Sequence, residues 1–233
     1  MNKNGLIENL KKNNISFNEN SLDLLLSFMK RTLETNEKFN LTAITDDDQF
    51  IEKMILDSAL ALSAYDFQNK SVIDVGTGAG YPGMVLKILE PSMKITLLDS
   101  TKKKIDYLSE FAKENCIDIN GVSMRSEDYC KKHREEFDVA TARAVANLSI
   151  LLEIITPMLK VGGALVALKG AGFEEEVSSA KTALQKLSLK IESVKELNLP
   201  ECGEKRAIIV IRKTDKTKLK YPRDYSEIKK QPL

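Results

Sequence analysis

Val72-Ile73-Asp74-Val75-Gly76-Thr77-Gly78-Ala79-Gly80-Tyr81-Pro82-Gly83 is the stretch around which the chain is organised. Its β-branched run follows the polar turn Asn69-Lys70-Ser71 and reads as a buried parallel strand, and the glycines let the backbone turn sharply into a helix. Pro82 suits that helix's first position. Such a corner offers unpaired backbone N–H groups and a positive helix end, and the missing side chains let a ligand approach the main chain.

The spacing of Gly78, Gly80 and Gly83 fits the dinucleotide pattern G-x-G-x-x-G. Asp74 argues for a different ligand. A carboxylate two residues before a G-x-G-x-G run starting at Gly76 can meet the cationic end of S-adenosylmethionine, directly or through water, whereas it would repel a pyrophosphate. A second apolar strand, 95–98, ends in Asp99, about where such folds place an acid for ribose hydroxyls, and that acid suits either cofactor. The plainer alternative is an ordinary tight turn with Asp74 capping a helix.

Outward from this corner, strands are expected at 72–75, 94–98, 120–124, 137–141 and 164–168, with helices at 82–89, 102–115, 148–159 and 174–187. That alternation predicts a parallel sheet with helical crossovers. Two last strands, 190–197 and 206–212, are joined by Asn198-Leu199-Pro200-Glu201-Cys202-Gly203, too short for a crossover, so they should pair antiparallel. The fold class is therefore α/β: a Rossmann-like, mostly parallel seven-stranded sheet of the S-adenosylmethionine-dependent methyltransferase type.

The first 65 residues read as a helical extension. Leu6, Ile7 and Leu10 fall at helical spacing, as do Leu22, Leu25, Leu26, Met29 and Leu33, with Ser21 as a cap. Asp46-Asp47-Asp48 should start a third helix through Ile51, Ile55, Leu56 and Leu60. These helices either cover the cofactor's mouth or serve as a structural cap. The expected division is a helical extension over 1–65, a cofactor-binding domain over 66–213 and a basic tail over 214–233.

With 233 residues, 42% of them hydrophobic, the chain can form one domain with an appendage. Cys116, Cys130 and Cys202 lie far apart, which suggests neither a disulfide framework nor a metal site. No signal-like segment and no apolar run of ~18 residues is present, so a cytoplasmic protein without membrane attachment is expected. Net charge is +1 but uneven: residues 212–233 carry eight basic and three acidic side chains (+5), and the remainder 27 and 31 (−4). A cationic tail can contact phosphate, or it can be a frayed, solvated terminus.

Several separate motifs give this sequence a specific likeness. They are Asn40-Leu41-Thr42, Ile55-Leu56-Asp57-Ser58, the glycine stretch from Asp74, Leu97-Leu98-Asp99-Ser100 with Lys103-Lys104-Ile105, and Arg125-Ser126-Glu127. Further along come Arg143-Ala144-Val145-Ala146, Leu168-Lys169-Gly170, Arg206 and Tyr221-Pro222-Arg223. Over nearly its whole length the sequence resembles the glucose-inhibited division protein B family, bacterial methyltransferases acting on N7 of a guanine in small-subunit (16S) ribosomal RNA.

The resemblance implies that Gly76 and Tyr81, with Gly78 and Gly80, line the S-adenosylmethionine site, that Ser126 and Glu127 abut the adenine, and that Asp99 takes the ribose hydroxyls. Arg143 would reach the methionine end or the substrate. Ser126 reads otherwise as a helix cap, and Arg143 as the partner of Asp74 or Glu153. Lys169 stands after the fifth strand, either on a phosphate or as a solvated end. Arg143 and Lys169 are thus the candidates nearest the chemistry, and Lys169, Arg206 and Arg223 the candidates for RNA contact. Two departures stand out: Met54 occupies a position where the family often has His, and Asp224-Tyr225-Ser226-Glu227 replaces a stretch usually richer in Pro and Gly.

Guanine N7 already carries a lone pair, so attack there needs no general base. The single histidine, His133, sits in the charged run Lys131-Lys132-His133-Arg134-Glu135-Glu136, which reads as a solvated helix face. Direct in-line transfer driven by alignment is the expected mechanism, with S-adenosylhomocysteine as product, 16S ribosomal RNA or the small subunit as partner, no metal, and a monomeric enzyme. Tyr81 could pack the cofactor or stack on the base. Two alternatives stay open: a nicotinamide-dependent oxidoreductase using the glycine spacing, and a noncatalytic module that binds S-adenosylmethionine and RNA.

Overall fold

The β-branched run forms the centre of β1 (Ser71–Val75), flanked in parallel by β2 (Lys94–Asp99) and β4 (Phe137–Arg143). The computed structural model describes residues 1–143 and 146–233. The seven strands follow the order β3, β2, β1, β4, β5, β7, β6, where β3 is Ile119–Ser123, β5 Leu159–Lys169, β6 Leu189–Asn198 and β7 Lys205–Lys213. Only β7 runs against the others, wedged between β5 and β6 and antiparallel to both. The antiparallel pairing of the last two strands is as expected; β6, the earlier of the pair, takes the outer edge.

One face of the sheet packs in a cluster that includes Val72, Ile95, Leu97 and Val139 together with Leu25, Phe28 and Ile55 of the N-terminal helices. The other face packs Ile73, Leu98, Ala140 and Ile209 against Leu148, Leu152 and Ile155 of α8 (Leu148–Ile155) and Tyr221 of the tail.

The N-terminal region is helical: α1 (Lys3–Lys12), α2 (Glu19–Asn36), and a third helical stretch. Asn18, not Ser21, caps α2. Ser21 is the third helical residue, and the two side chains exchange hydrogen bonds with each other's backbone N–H, so the cap is reciprocal. The third stretch begins at α3 (Asp47–Phe50) with Asp46 as cap, widens into a π-helix over Ile51–Leu56, and closes through α4 (Asp57–Ala59) and a 3₁₀ turn, Leu60–Ser63.

Downstream, α5 (Gly83–Leu89) starts one residue later than expected, so Pro82 is the residue before the first helical position rather than the position itself. α6 spans Lys102–Glu114 and α7 Ser126–Lys132. The expected helix over 148–159 is shorter because Pro157 has no N–H to continue the ladder: α8 gives way to a 3₁₀ turn at Thr156–Met158, and β5 starts at Leu159. The helix expected over 174–187 divides into α9 (Phe173–Ser179) and α10 (Lys181–Lys186) after Ser178 and Ser179, both weak helix formers.

The tail is docked rather than frayed. Thr217, Tyr221 and Ile228 are buried, and a last helix, α11 (Tyr225–Lys230), packs on α8. Arg134 donates to the carbonyls of Thr217 (3.0 Å) and Tyr221 (2.8 Å). Lys213, fully buried at the end of β7, donates to the carbonyls of Leu159 (2.7 Å) and Thr156 (3.1 Å), and burial pushes its ammonium below the usual lysine range. No helix among the described residues is long and apolar enough to cross a membrane.

Candidate active site

The glycine corner is held from inside. Asp74 lies opposite Thr141 in the β1–β4 register and is fully buried; it accepts from Thr141 Oγ1 at 2.9 Å and, through its other oxygen, from Gly83 N at 3.0 Å. Burial pushes its carboxyl upward, against the Thr77 and Thr141 side chains and the Gly83 N–H. One oxygen thus holds β4 and the other the first N–H of α5, which is the bond the helix-capping alternative expects.

The glycines divide by task. Gly76 and Gly78 have φ of 70° and 58° and are partly open to solvent; beyond its φ, a Cβ on Gly78 would meet only the Gly76 carbonyl at 3.8 Å. Gly80, buried at φ +96°, has Phe28 Cζ and Leu108 Cδ2 each 2.7 Å from where its Cβ would stand. Gly80 therefore serves packing and turn geometry as well. Gly78 N donates to Asp99 Oδ2 at 3.0 Å, and the other carboxylate oxygen takes Thr101 N at 2.8 Å. Asp99 thus stands at the mouth of the loop, at the end of β2. Ser126 and Glu127 open α7 just past β3, both half-buried, with Arg125 rather than Ser126 in the capping position.

Tyr81 is buried in an aromatic cluster. Its ring stacks on Phe28 (centroids 5.1 Å) and meets Phe50 edge-on (5.4 Å), while its hydroxyl shares Thr32 Oγ1 with Tyr107 at 3.2 and 2.7 Å. Burial drives its hydroxyl well above the ordinary tyrosine range. Of the two roles expected of Tyr81, cofactor packing and a stack on the base, the stack gives way to this core packing; Arg143 lies over the ring, its Cζ 5.9 Å from the centroid.

A cavity of about 850 Å³ opens where β4 and β5 end and β7 begins, lined among others by Asp57, Arg143, Lys169, Glu176, Glu204 and Arg206. Arg143 donates to the Lys53 carbonyl (2.9 Å) and to Met54 Sδ (3.1 Å), both on the π-helical turn, and pairs with Asp57 at 3.4 Å. Its partner is thus neither Asp74 nor Glu153. Arg206 Nε pairs with the same Asp57 oxygen at 3.3 Å, and its Nη2 with Glu204 at 2.7 Å. Burial raises the Asp57 carboxyl above its usual value despite both guanidinium groups. Lys169, almost fully buried, is held by Glu176 (2.7 Å) and the Ala146 carbonyl (2.9 Å). Ala144 and Val145 of the Arg143 motif lie outside the described residues.

Arg223 does not join this cavity. It forks onto the fully buried Glu153 of α8, with Nε and Nη2 at 2.8 and 2.7 Å, and its backbone N–H adds a third bond at 3.0 Å. This corrects its expected presentation to RNA. His133 ends α7, stacked on Tyr129 and bonded to Glu136 at 2.8 Å. Among the described residues no three His, Cys, Asp or Glu side chains gather where they could hold a metal ion.

Asp57, Lys53, Glu176 and Glu204 were not nominated from the sequence. Only Asp57 carried a signal, its place in the Ile55-Leu56-Asp57-Ser58 motif.

The loop fits an adenosyl cofactor by the space left beside Gly78 and by the Asp99 carboxylate next to it. Strand order, glycine corner and acid at the end of β2 define the Rossmann-like fold of S-adenosylmethionine-dependent methyltransferases. The structure of M. jannaschii TYW2 in complex with AdoMet shares this fold, with a TM-score of 0.57 and 16% identity over 72% of this chain and 77% of that one. The family model of GidB, rRNA small subunit methyltransferase G, matches residues 21–209. Ribosomal RNA small subunit methyltransferase G of Clostridium botulinum (strain Loch Maree / Type A3) is 39% identical over 94% of both chains, and that of Thermoanaerobacter sp. (strain X514) 42% identical over 98% of this chain and 97% of its own. The chain belongs to the rRNA small subunit methyltransferase G family. Membership sets aside the nicotinamide-dependent and noncatalytic alternatives.

Proposed function

We propose that this protein transfers a methyl group from S-adenosylmethionine to N7 of a guanine in 16S ribosomal RNA. The observation that carries the reading is the cavity at the ends of β4 and β5, where Arg143 and Arg206 converge on Asp57 and where Arg143 also covers the ring of Tyr81, next to the glycine loop.

S-adenosylmethionine supplies an electrophilic methyl group on a sulfonium. Gly76 and Gly78 give it close approach to the main chain, Asp99 offers its carboxylate to the ribose hydroxyls, and Ser126 and Glu127 border the adenine at the end of β3. Arg143, Arg206 and Lys169 hold the RNA at the cavity, with the guanidinium groups on acceptor atoms of the base or phosphate. No side chain has to remove a proton, because N7 presents its lone pair in the neutral base. That fits a cavity whose polar groups are already charged and paired. The enzyme would act as a monomer in the cytoplasm, on 16S RNA or on the small subunit.

The test supplies the protein with methyl-labelled S-adenosylmethionine and either small subunits or 16S RNA from a strain lacking the modification, and maps the label. Label on one guanine N7 is expected. Label absent from RNA, or on another atom, overturns the reading.

A further inference from the structure

The cavity just described is nearly self-neutral: Lys53, Arg143, Arg206 and Lys169 are matched by Asp57, Glu204 and Glu176 within hydrogen-bonding or ion-pair distance. A polyanion arriving there must trade places with carboxylates, so little net attraction comes from the cavity. Outside residues 212–233 the chain carries −4, which opposes RNA.

The stretch 212–233 is different. Of its eight basic residues, Arg212 is paired with Glu192, Lys213 is buried, and Arg223 is locked on Glu153. The tail's three carboxylates are engaged as well: Asp224 with Lys131 (3.7 Å), Glu227 with Arg223 (3.5 Å), and Asp215 with the backbone N–H of Lys216 (2.7 Å). Lys216, Lys218, Lys220, Lys229 and Lys230 are exposed, and none of their ammonium groups has a carboxylate within 4.0 Å among the described residues. The segment bearing them is fixed by Arg134, two residues past α7, and by Glu153 of α8. Lys216, Lys218 and Lys220 flank Thr217, which with Lys213 bonds to the carbonyls of Thr156 and Leu159, past the end of α8 remote from Asn147 in the cavity wall, so this part of the surface is separate from the cavity.

We propose that these five lysines form a preorganised second contact surface for the backbone phosphates of the ribosomal RNA, supplying the net electrostatic attraction that the cavity lacks. The inference rests on the RNA-methylating reading above. Because the tail is already ordered, contact with phosphate costs little additional backbone entropy.

The test replaces all five lysines by serine in the full-length protein and compares it with wild type and with the five-arginine variant. Readouts are binding to 16S RNA over a series of salt concentrations, S-adenosylmethionine affinity, and methyl transfer. The serine variant should keep S-adenosylmethionine affinity and kcat at saturating RNA, raise KM for RNA, and flatten the slope of log K against log salt by roughly 2–3.5, at ~0.7 per phosphate lost. The arginine variant should restore the slope. An unchanged slope and KM in the serine variant, with wild type active on RNA, overturns the second surface alone. Wild type that neither binds nor methylates RNA overturns the function and this inference together.

Discussion

The Asp57 carboxylate stands between two guanidinium groups, with Oδ2 3.4 Å from Arg143 Nη1 and 3.3 Å from Arg206 Nε. Asp57 is on the helix that follows the π-helical turn, Arg143 ends β4 and Arg206 begins β7, so one acid sets the spacing of two cations drawn from distant parts of the chain. Asp57→Asn keeps the shape and removes the shared charge. We expect kcat/KM for RNA to fall about 30-fold, or ~2 kcal/mol, with S-adenosylmethionine affinity within about twofold of wild type. Steady-state methylation and calorimetry check this; unimpaired turnover would remove Asp57 from the site.

Gly78→Ala and Gly80→Ala should separate binding from folding. At Gly78 the cost is a left-handed backbone of ~1 kcal/mol with space for the methyl group, so the variant should fold and bind S-adenosylmethionine more weakly. At Gly80 the methyl group meets Phe28 and Leu108 at 2.7 Å, and a loss of ~2–4 kcal/mol in stability is expected. Denaturant melts and calorimetry on both proteins distinguish the two outcomes.

Asp99→Ala removes the acceptor offered to the ribose and the bond that holds Gly78 N. S-adenosylmethionine affinity should drop by about 1–3 kcal/mol. Unchanged affinity in calorimetry would place the ribose elsewhere.

Arg223→Ala leaves Glu153 buried and without its cation, a change that costs about 3–5 kcal/mol when an ion pair is broken from one side. Glu153→Gln in the same background should recover part of that loss. A melting temperature unmoved by Arg223→Ala would show that the tail does not depend on this pair.

Asp138 provides a pH signature. Burial alone would raise its carboxyl, but Lys160 and Ser71 outweigh burial and carry it from 3.8 down to about 2. Its charged form is therefore favoured by folding: the contribution is full above the unfolded value and is lost as pH falls from about 4 through about 2. For a side chain one-third exposed this amounts to ~1 kcal/mol after screening. Asp138→Asn should flatten the stability profile across that window and leave the profile above pH 5 parallel to wild type.

The sheet was legible because its strands are short apolar runs separated by glycine and polar turns, and because the link between β6 and β7 leaves no room for a crossover. The chemistry of the site was only half legible. Asp99 and Arg143 end strands, where position in sequence predicts position in the fold. The partner of Arg143 was not readable, since Asp57 reaches it from a helix whose π-helical turn shifts the facing residues. Tyr81 misled for the opposite reason: next to the glycine loop in sequence, it rotates into the aromatic cluster of Phe28 and Phe50. The charge of the tail was visible, but which of its cations were spent on Glu153, Glu192 and buried carbonyls was a matter of tertiary contact.

Phe28 belongs to α2, yet it fills the hollow that Gly80 leaves and lies flat against Tyr81. The packing behind the glycine loop is thus supplied in part by the leading helices. A lesion in α2 would therefore disturb the glycine loop from behind, and its address in the sequence would not betray the cause.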